Sequence, residues 1–388
     1  MYKILKLNKI SQKGIDRFGK DRYEVLDDGD ADAIILRSMN LHDFKFGKNL
    51  KAIARAGAGV NNIPIDRCTK EGIVVFNTPG ANANAVKEIV LASMLLSARD
   101  IVGGIFWSNS IKDKKDEVPS LVEKNKSNFA GFEIKGKTLG VIGLGAIGAL
   151  VANDAISLGM KVIGYDPYLS VDGAWRLSNE VQKVESIEDI FKNSDFITIH
   201  VPLLDSTKEM INKDSITLMR DGVSIINFSR GELVNNKDII DAIKSNKINR
   251  YVTDFPKEEL LQVDGVLAIP HLGASTKESE ENCAIMATEE LIDYLENGNI
   301  KNSVNFPNCE LGKVKDIRLS ILNKNIPNII GNITSILAKN SINIEDMVNK
   351  SRGDLAYTLI DTKQDISDEI IKQIEDLEGV IKVRVLKA

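Results

Sequence analysis

The chain has 388 residues, of which 27% are charged and 43% hydrophobic, and its formal net charge is −5. This balance excludes a broad basic surface for nucleic acid and a disordered acidic tail. No apolar run approaches the length of a membrane span, and the first residues lack a secretory signal, so we expect a cytoplasmic protein. The three cysteines lie far apart and away from histidines, which argues against a disulfide framework or a metal site.

Strand-like and helical runs alternate along the first two thirds of the chain. The runs 33–36 and 73–76 indicate buried strands and 88–99 a helix, which predicts a small α/β layer. The polar stretch 108–128 is expected to be a surface connection with an amphipathic segment. From Lys137 onward short strands alternate with helices, which predicts a doubly wound parallel sheet. Its predicted strands are 139–142, 161–165, 196–200, 223–227, 250–253 and 266–269.

A glycine-rich turn follows the first of these strands. In Gly143-x-Gly145-x-x-Gly148 the glycines permit a tight turn, approach of a pyrophosphate to the backbone and close helix packing, with the phosphates at a helix N-terminus. The next strand ends in Asp166, where a carboxylate accepts hydrogen bonds from ribose hydroxyls and repels a 2′-phosphate. Together these features predict a Rossmann domain that binds NAD rather than NADP. By itself, Asp166 is equally compatible with capping the turn before Pro167.

The chain contains three histidines, so a histidine acid–base can be sought by elimination. His42 lies beside Asp43 in a polar loop and is expected to be solvated. His200 ends a predicted strand, and His271 lies between the strand 266–269 and a long helix. Because ligands bind at the carboxyl ends of parallel strands, either one could serve. The alternative for His271 is a plain helix-entry residue.

Charged residues follow two further strands at the same edge. Arg230 comes after the strand 223–227, and its planar donors match a carboxylate and an adjacent carbonyl or hydroxyl oxygen. Asp254 and the pair Glu258 and Glu259 follow the next strand. A carboxylate bonded to a histidine would hold its tautomer and raise its pKa. For Arg230 the alternative is a surface salt bridge.

Five segments jointly resemble the D-isomer-specific 2-hydroxyacid dehydrogenases over nearly the whole chain: 55–61, 77–88, 136–148, 227–231 and 270–276. The resemblance implies that Arg230 orients the substrate carboxylate and polarises the carbonyl. It also implies that His271 takes the hydroxyl proton while a hydride leaves C2 for NAD. A glutamate should support His271, but the segment after Asp254 is shorter than the family pattern. Glu258 is therefore our assignment, with Glu259 or neither as alternatives.

The same resemblance predicts the remaining contacts. It implies that Arg37, Ser38 and Asn82 bind a distal phosphate, for which a surface cation is the alternative at Arg37. The backbone of Ala58, Gly59 and Val60 would hold the substrate carboxylate. The implied NAD contacts are Gly143, Gly145, Ala146, Ile147, Gly148, Asp166, Val201, Pro202, Phe228, Ser229, Arg230, Asp254, His271 and Gly273.

The resemblance implies NAD-dependent oxidation of D-3-phosphoglycerate to 3-phosphohydroxypyruvate, the first step of serine biosynthesis. A reductase of glyoxylate, hydroxypyruvate or another 2-oxo acid is one alternative. Such an enzyme would share Arg230 and His271 but would not need Arg37 and Ser38. A non-catalytic, NAD-sensing binding protein is the other alternative. Retention of an arginine, a histidine and a carboxylate in one chain favours an enzyme.

The tail from about Arg318 predicts the order β-α-β-β-α-β. This order resembles an ACT domain, a module in which paired copies bind an amino acid at their interface. The resemblance places Asn325 and Asn343 at the effector's carboxylate and ammonium groups, with serine as the expected effector. Asn323 and Asn328 depart from the family's usual histidine and glycine. A purely structural dimerisation tail is the alternative.

We therefore expect an α/β protein of three domains. These are a flavodoxin-like substrate domain (1–98 and 282–310), a Rossmann NAD-binding domain (99–281) and an ACT-like regulatory domain (316–388). The tail and the helix near 83–99 favour a homodimer or homotetramer. No nucleic-acid or membrane partner is expected.

Overall fold

The computed structural model describes all 388 residues, which form two compact units. The first unit comprises residues 1–82 and 277–388, and the second comprises residues 83–276. These units divide the chain at 82/83 and 276/277, whereas the domain boundaries expected at 98/99 and 281/282 stay predictions. The helix 83–98 belongs to the second unit because it packs Val86, Val90 and Met94 into the core of that unit.

The strands and α-helices are numbered in chain order. The strands are β1 Tyr2–Leu7, β2 Tyr23–Leu26, β3 Ala33–Leu36, β4 Ala52–Arg55, β5 Val74–Asn77, β6 Thr138–Ile142, β7 Lys161–Tyr165, β8 Gln182–Lys183, β9 Phe196–Ile199, β10 Val223–Asn227, β11 Ile248–Thr253, β12 Val266–Ala268, β13 Ile317–Lys324, β14 Asp346–Arg352, β15 Leu355–Thr362 and β16 Val380–Lys387. The helices are α1 Gln12–Ile15, α2 Ile65–Lys70, α3 Ala83–Ala98, α4 Ile101–Ser110, α5 Val118–Asn125, α6 Ala146–Ser157, α7 Val171–Ala174, α8 Ile187–Asn193, α9 Lys213–Leu218, α10 Asn236–Lys244, α11 Glu258–Leu261, α12 Lys277–Asn297, α13 Ile329–Lys339 and α14 Asp368–Glu375.

The first unit contains a parallel sheet in the order β2-β1-β3-β4-β5. All four residues of β3 are buried, as expected for a strand covered on both faces. One face packs on α12 through Leu291 and Leu295. The sheet confirms the predicted α/β layer.

The tail forms a four-stranded antiparallel sheet in the order β14-β15-β13-β16, which confirms the predicted β-α-β-β-α-β order. Helices α13 and α14 cover one face of this sheet. The other face carries Leu322, Tyr357 and Leu359, which share one hydrophobic core with α12 and the parallel sheet. The tail therefore lies in the first unit, although it also has a core of its own under α13 and α14, and its role as a separate regulatory domain stays a prediction.

Two buried arginines join the tail to the segment around the end of α12. Arg318 is fully buried and donates to both carboxylate oxygens of Asp361, at 2.5 and 2.8 Å. It also donates to the carbonyl of Asn297 at 2.9 Å. Arg384 lies over the ring of Tyr294 and donates to the carbonyl of Leu295 at 3.0 Å. Buried charges require such partners, so these contacts fix where the tail sits.

The second unit is a seven-stranded parallel sheet in the order β12-β11-β10-β9-β6-β7-β8, which confirms the doubly wound prediction. The carboxyl ends of its strands lie at one edge, where ligands bind in such folds. The polar stretch 108–128 is largely helical, with α5 and two short 3₁₀ turns. No single helix is long and apolar enough to cross a membrane; only α3 and α4 together, bent by 67°, have the required length and composition.

Candidate active site

The turn after β6 uses its three glycines for three different reasons. Gly143 has φ +90°, and a Cβ there would lie 2.7 Å from the carbonyl oxygen of His200. A Cβ on Gly148 would lie 1.9 Å from the carbonyl oxygen of Gly143. A Cβ on Gly145, by contrast, would meet no atom within 4 Å. Open space therefore adjoins the N-terminus of α6, where a phosphate would find free N–H groups.

Asp166 connects the end of β7 to this turn. Its two carboxylate oxygens accept hydrogen bonds from the backbone N–H groups of Leu144 and Tyr168, each at 2.9 Å. The Tyr168 bond is the turn cap that the sequence allowed as an alternative. Since each carboxylate oxygen has a second lone pair, the cap leaves Asp166 able to accept from ribose hydroxyls.

The structure separates the three histidines by environment. His200 has its Nε2 2.9 Å from Thr198 Oγ1, and its buried Nδ1 has no partner. Burial lowers the pKa of His200 to about 3, so this ring is neutral at physiological pH. His42 is exposed, with Nε2 3.0 Å from the carbonyl oxygen of Asn61. His271 is also exposed and follows β12 at the carboxyl edge of the sheet.

Arg230 is held by a buried asparagine that the sequence analysis did not single out. The side chain of Asn227, the last residue of β10, donates to the carbonyl of Arg230 at 2.8 Å and accepts from the N–H of Ser229 at 3.1 Å. The guanidinium of Arg230 donates to the carbonyl of Ser229 and is otherwise exposed. A polar residue at the end of an apolar strand was the available signal for Asn227.

Asp254 follows β11 and is buried. One carboxylate oxygen accepts from the N–H of Gly273 at 2.9 Å, whereas Oδ1 has no hydrogen-bond partner. Burial raises the pKa of Asp254, and the Gly273 bond and the positive charges of His271 and Arg230 oppose that rise. Asp254 is therefore electrostatically linked to both of the other candidate catalytic groups.

Neither predicted glutamate forms a hydrogen bond or an ion pair with His271. Glu258 is the exposed first residue of α11 and makes no hydrogen bond or ion pair, whereas Glu259 accepts from the side chain of Asn236 at 2.7 Å. The ring of His271 packs edge-on against Phe255, with centroids 5.0 Å apart. The shortened segment after Asp254 places α11 only four residues beyond that aspartate, so the role of Glu258 stays a prediction.

The other predicted NAD contacts lie along the same edge of the seven-stranded sheet. They are Ala146 and Ile147 in the first turn of α6, Val201 and Pro202 after β9, Phe228 and Ser229 after β10, and Gly273 after β12. The hydroxyl of Ser229 donates to the carbonyl of Ile199 at 2.7 Å, which links the ends of β9 and β10.

In the first unit, the loop 58–60 presents unused donors. The carbonyls of Ala58 and Gly59 accept from the side chains of Asn77 and Arg55, at 2.6 and 2.5 Å. The N–H groups of Ala58, Gly59 and Val60 donate to no acceptor in the chain. Successive free N–H groups form an anion-binding concavity. Sequence reasoning missed Arg55 and Asn77 as its supports, although both end strands within the quoted motifs.

The predicted phosphate contacts lie in the same unit. Arg37 forms an ion pair with Glu280 of α12, with Nη1 and Oε1 2.6 Å apart and side chains 38% and 46% exposed. The backbone N–H of Ser38 donates to Asn8, and the side chain of Asn82 makes no hydrogen bond within the chain. The Arg37 pair is therefore solvent-accessible and open to exchange with another anion.

The predicted effector residues are engaged within the tail. The side-chain amide of Asn325 donates to the carbonyl of Gly353, and that of Asn343 donates to Glu345, each at 3.1 Å. Asn323 is buried, and its side chain donates to the carbonyl of Lys324. Asn328 has φ 64° and ψ 5°, a left-handed conformation that asparagine tolerates better than most residues, so the glycine it replaces is not required there.

The amino-acid sequence is similar to those of known 2-hydroxyacid dehydrogenases. Residues 92–273 match the family model described as D-isomer specific 2-hydroxyacid dehydrogenase, NAD binding domain. The chain is 35% identical over 339 residues to a D-3-phosphoglycerate dehydrogenase of Methanocaldococcus jannaschii, covering 84% of this chain and 61% of that protein. It is 37% identical over 278 residues to a hydroxypyruvate reductase of Thermotoga maritima, covering 69% of this chain and 85% of that protein.

A solved structure shows the same fold over most of the chain. The NAD⁺-bound 3-phosphoglycerate dehydrogenase of Entamoeba histolytica superposes with a TM-score of 0.61 at 28% identity, covering 78% of this chain and 98% of that one. The chain spans about three fifths of the length of the M. jannaschii relative.

Proposed function

Because the chain belongs to the D-isomer-specific 2-hydroxyacid dehydrogenase family, we propose that it oxidises D-3-phosphoglycerate to 3-phosphohydroxypyruvate with NAD. The observation that carries the proposal is the arrangement of Arg230, Asp254 and His271 at the same sheet edge as the glycine turn. The M. jannaschii and E. histolytica relatives, both named as dehydrogenases of phosphoglycerate, support the substrate.

The residues of the second unit fit the cofactor. The open space beside Gly145 accepts the pyrophosphate, and Asp166 accepts from the ribose hydroxyls. The buried Oδ1 of Asp254 lacks a donor, and an amide N–H of the nicotinamide carboxamide would satisfy it. When bound, NAD supplies the hydride acceptor.

The side chains provide the proton transfer and the orientation. His271 accepts the proton of the substrate's C2 hydroxyl at an imidazole nitrogen. Arg230 donates to the carboxylate and to the C2 oxygen, which stabilises negative charge developing there. After the transfer, the negative charge of Asp254, which accepts a hydrogen bond from Gly273, attracts the positive charge carried by His271.

Substrate binding falls to the first unit in this proposal. The free N–H groups of Ala58, Gly59 and Val60 bind the substrate carboxylate, and Arg37 with Ser38 and Asn82 binds its phosphate. Arg37 gives up Glu280 when the phosphate arrives. The T. maritima relative favours a second candidate, reduction of hydroxypyruvate, which does not need the phosphate contacts.

The chain is also proposed to assemble into homodimers or homotetramers. Leu95 of α3 and Ile101, Ile105 and Phe106 of α4 leave apolar side chains exposed in one stretch of the second unit, as is common where copies associate. The tail is proposed to bind serine through Asn325 and Asn343. Isothermal calorimetry with serine tests that part, and absence of heat with serine and glycine would leave the tail as an assembly element.

The catalytic proposal is tested by His271→Ala, with His42→Ala as a matched control. A positioned general base contributes about 10²- to 10⁴-fold, so kcat for phosphoglycerate oxidation should fall by that factor in His271→Ala and stay unchanged in His42→Ala. NADH fluorescence titration checks that both variants still bind the cofactor. Nearly full turnover in His271→Ala would remove this residue from the mechanism.

A further inference from the structure

A cleft of about 380 Å³ lies in the first unit, between strand β14 of the tail and the chain that follows α12. Its volume is within the range of pockets that hold small molecules. Polar side chains line most of it, including Asn77, Asn302 and Asn308, and its two charged residues are Lys350 and Arg352. No acidic side chain lines it.

The two cations reach the cleft because of the strand's geometry. Residues two apart on a strand lie on the same face, so Lys350 and Arg352 share a face with Val348. Val348 packs against the core that joins the tail to the parallel sheet, which directs this face toward the cleft. The packing of Val348 therefore determines that Lys350 and Arg352 face the cleft.

Neither cation has a carboxylate partner. Arg352 donates through Nη1 to the carbonyl of Ser303 at 3.1 Å, which leaves the rest of its fork of donors available. Lys350 makes no ion pair. Partial burial lowers the pKa of Arg352, as expected for a cation without a compensating negative charge. An anion in the cleft would supply that charge.

The asparagine amides add neutral donors to the cleft. Asn302 donates one bond to Glu290 at 2.7 Å, and its NH₂ group retains a second hydrogen. The side chain of Asn308 is exposed and makes no hydrogen bond within the chain. A phosphate or carboxylate bound between Lys350 and Arg352 could accept from these amides as well.

Asn77 connects the cleft to the loop 58–60. Its side-chain amide lines the cleft and donates to the carbonyl of Ala58 at 2.6 Å, while the N–H of Thr78 donates to the carbonyl of Gly57 at 3.2 Å. A ligand that draws the Asn77 amide toward itself would weaken its bond to Ala58. The loop's free N–H groups would then change their position or order.

We propose that this cleft binds a small metabolite through a phosphate or carboxylate group, and that Asn77 transmits its occupancy to the loop 58–60. The binding part stands by itself. The effect on turnover rests on the proposed function, because that function assigns the loop to the substrate carboxylate.

Binding is tested first, with inorganic phosphate as the probe. To remove phosphate binding at the substrate site, calorimetric titrations at constant ionic strength use the Arg37→Ala protein. We expect binding there, and a loss of affinity of roughly ten- to a hundredfold when Lys350→Gln and Arg352→Gln are added. Lys339→Gln with Lys372→Gln, two exposed tail lysines without ion pairs, is the charge-matched control and should bind like the parent.

Equal phosphate affinity with and without Lys350 and Arg352, or no binding to the Arg37→Ala protein, would overturn the site. Repeating the titration with citrate distinguishes a polycarboxylate ligand from a phosphorylated one. The coupling is tested by measuring kcat/KM with and without phosphate, in the wild-type protein and in the Lys350→Gln, Arg352→Gln double variant. Part of the change that phosphate causes in the wild type should be absent from the double variant. The same change in both proteins would overturn the coupling. If D-3-phosphoglycerate is not oxidised at all, the proposed function fails, whereas the binding result is unaffected.

Discussion

Glu280→Gln should improve the use of a phosphorylated substrate. In the structure Oε1 of Glu280 lies 2.6 Å from Nη1 of Arg37. The carboxylate therefore takes the position at the guanidinium where we place the substrate phosphate. The substrate must displace this carboxylate and approach its negative charge. Glutamine keeps the size of the side chain but removes both costs.

The magnitude follows from the exposure of the pair. With side chains 38% and 46% exposed, the ion pair is a surface pair. Such pairs contribute about 0.2–1 kcal/mol, so kcat/KM for D-3-phosphoglycerate should rise by about 1.4- to 5-fold. The gain should shrink at high salt, which screens exposed charges.

Initial rates of NADH formation measure this effect. Glu278→Gln, a loss of the same charge in the same first turn of α12, is the matched control because Glu278 has no ion pair. In the Arg37→Ala background, Glu280→Gln should no longer raise kcat/KM. A gain of equal size on D-glycerate, or one that persists without Arg37, would refute the assignment of Arg37 to the phosphate.

Three further predictions test other parts of the account. Asp166→Ala should weaken NAD binding and raise the NADP/NAD ratio of kcat/KM, because the ribose acceptor and the repelling charge are lost together; a wild type that already prefers NADP would contradict this. Burial raises the pKa of Glu290 to about 8, so the free energy of unfolding falls as pH rises from about 4.5 to 8, because the buried carboxyl must then ionise. Glu290→Gln should remove this pH dependence and raise the free energy of unfolding at pH 7, measured in urea, by at most about 3 kcal/mol. An unchanged pH dependence in the variant would refute the prediction. Asp361→Asn leaves the fully buried Arg318 without its carboxylate and should lower the free energy of unfolding by about 3–5 kcal/mol. Asp365→Asn breaks an exposed ion pair with Lys387 and should lower it by less than about 1 kcal/mol. Equal losses in the two variants would contradict the argument from burial.

Local patterns predicted the elements and the chemistry at the strand ends. The glycine turn and Asp166 follow a strand directly, and Arg230 and His271 each lie three residues beyond one. Parallel strands bring such residues to one edge of the sheet. Periodicity also gave the order of the tail, because alternation within a strand is a local property.

What the sequence did not predict depends on contacts between distant segments. The apolar face of β13 and β15 has the same sequence pattern whether it packs on α12 or on another chain, so the pattern did not predict that the tail packs on α12. Removing the tail would expose Leu291 and Leu295. The ion pair between Arg37 and Glu280 joins residues more than two hundred positions apart, so no short sequence pattern could predict it.

The central claim is that the chain oxidises a phosphorylated 2-hydroxy acid, and initial rates of NAD reduction with D-3-phosphoglycerate, D-glycerate and D-lactate test it most directly. One charge-assisted contact is worth about 1.5–3 kcal/mol, so kcat/KM for D-3-phosphoglycerate should exceed that for D-glycerate by at least roughly tenfold, and Arg37→Ala should remove most of that preference. Equal or better use of D-glycerate or D-lactate by the wild-type protein would contradict the claim and favour the reductase alternative.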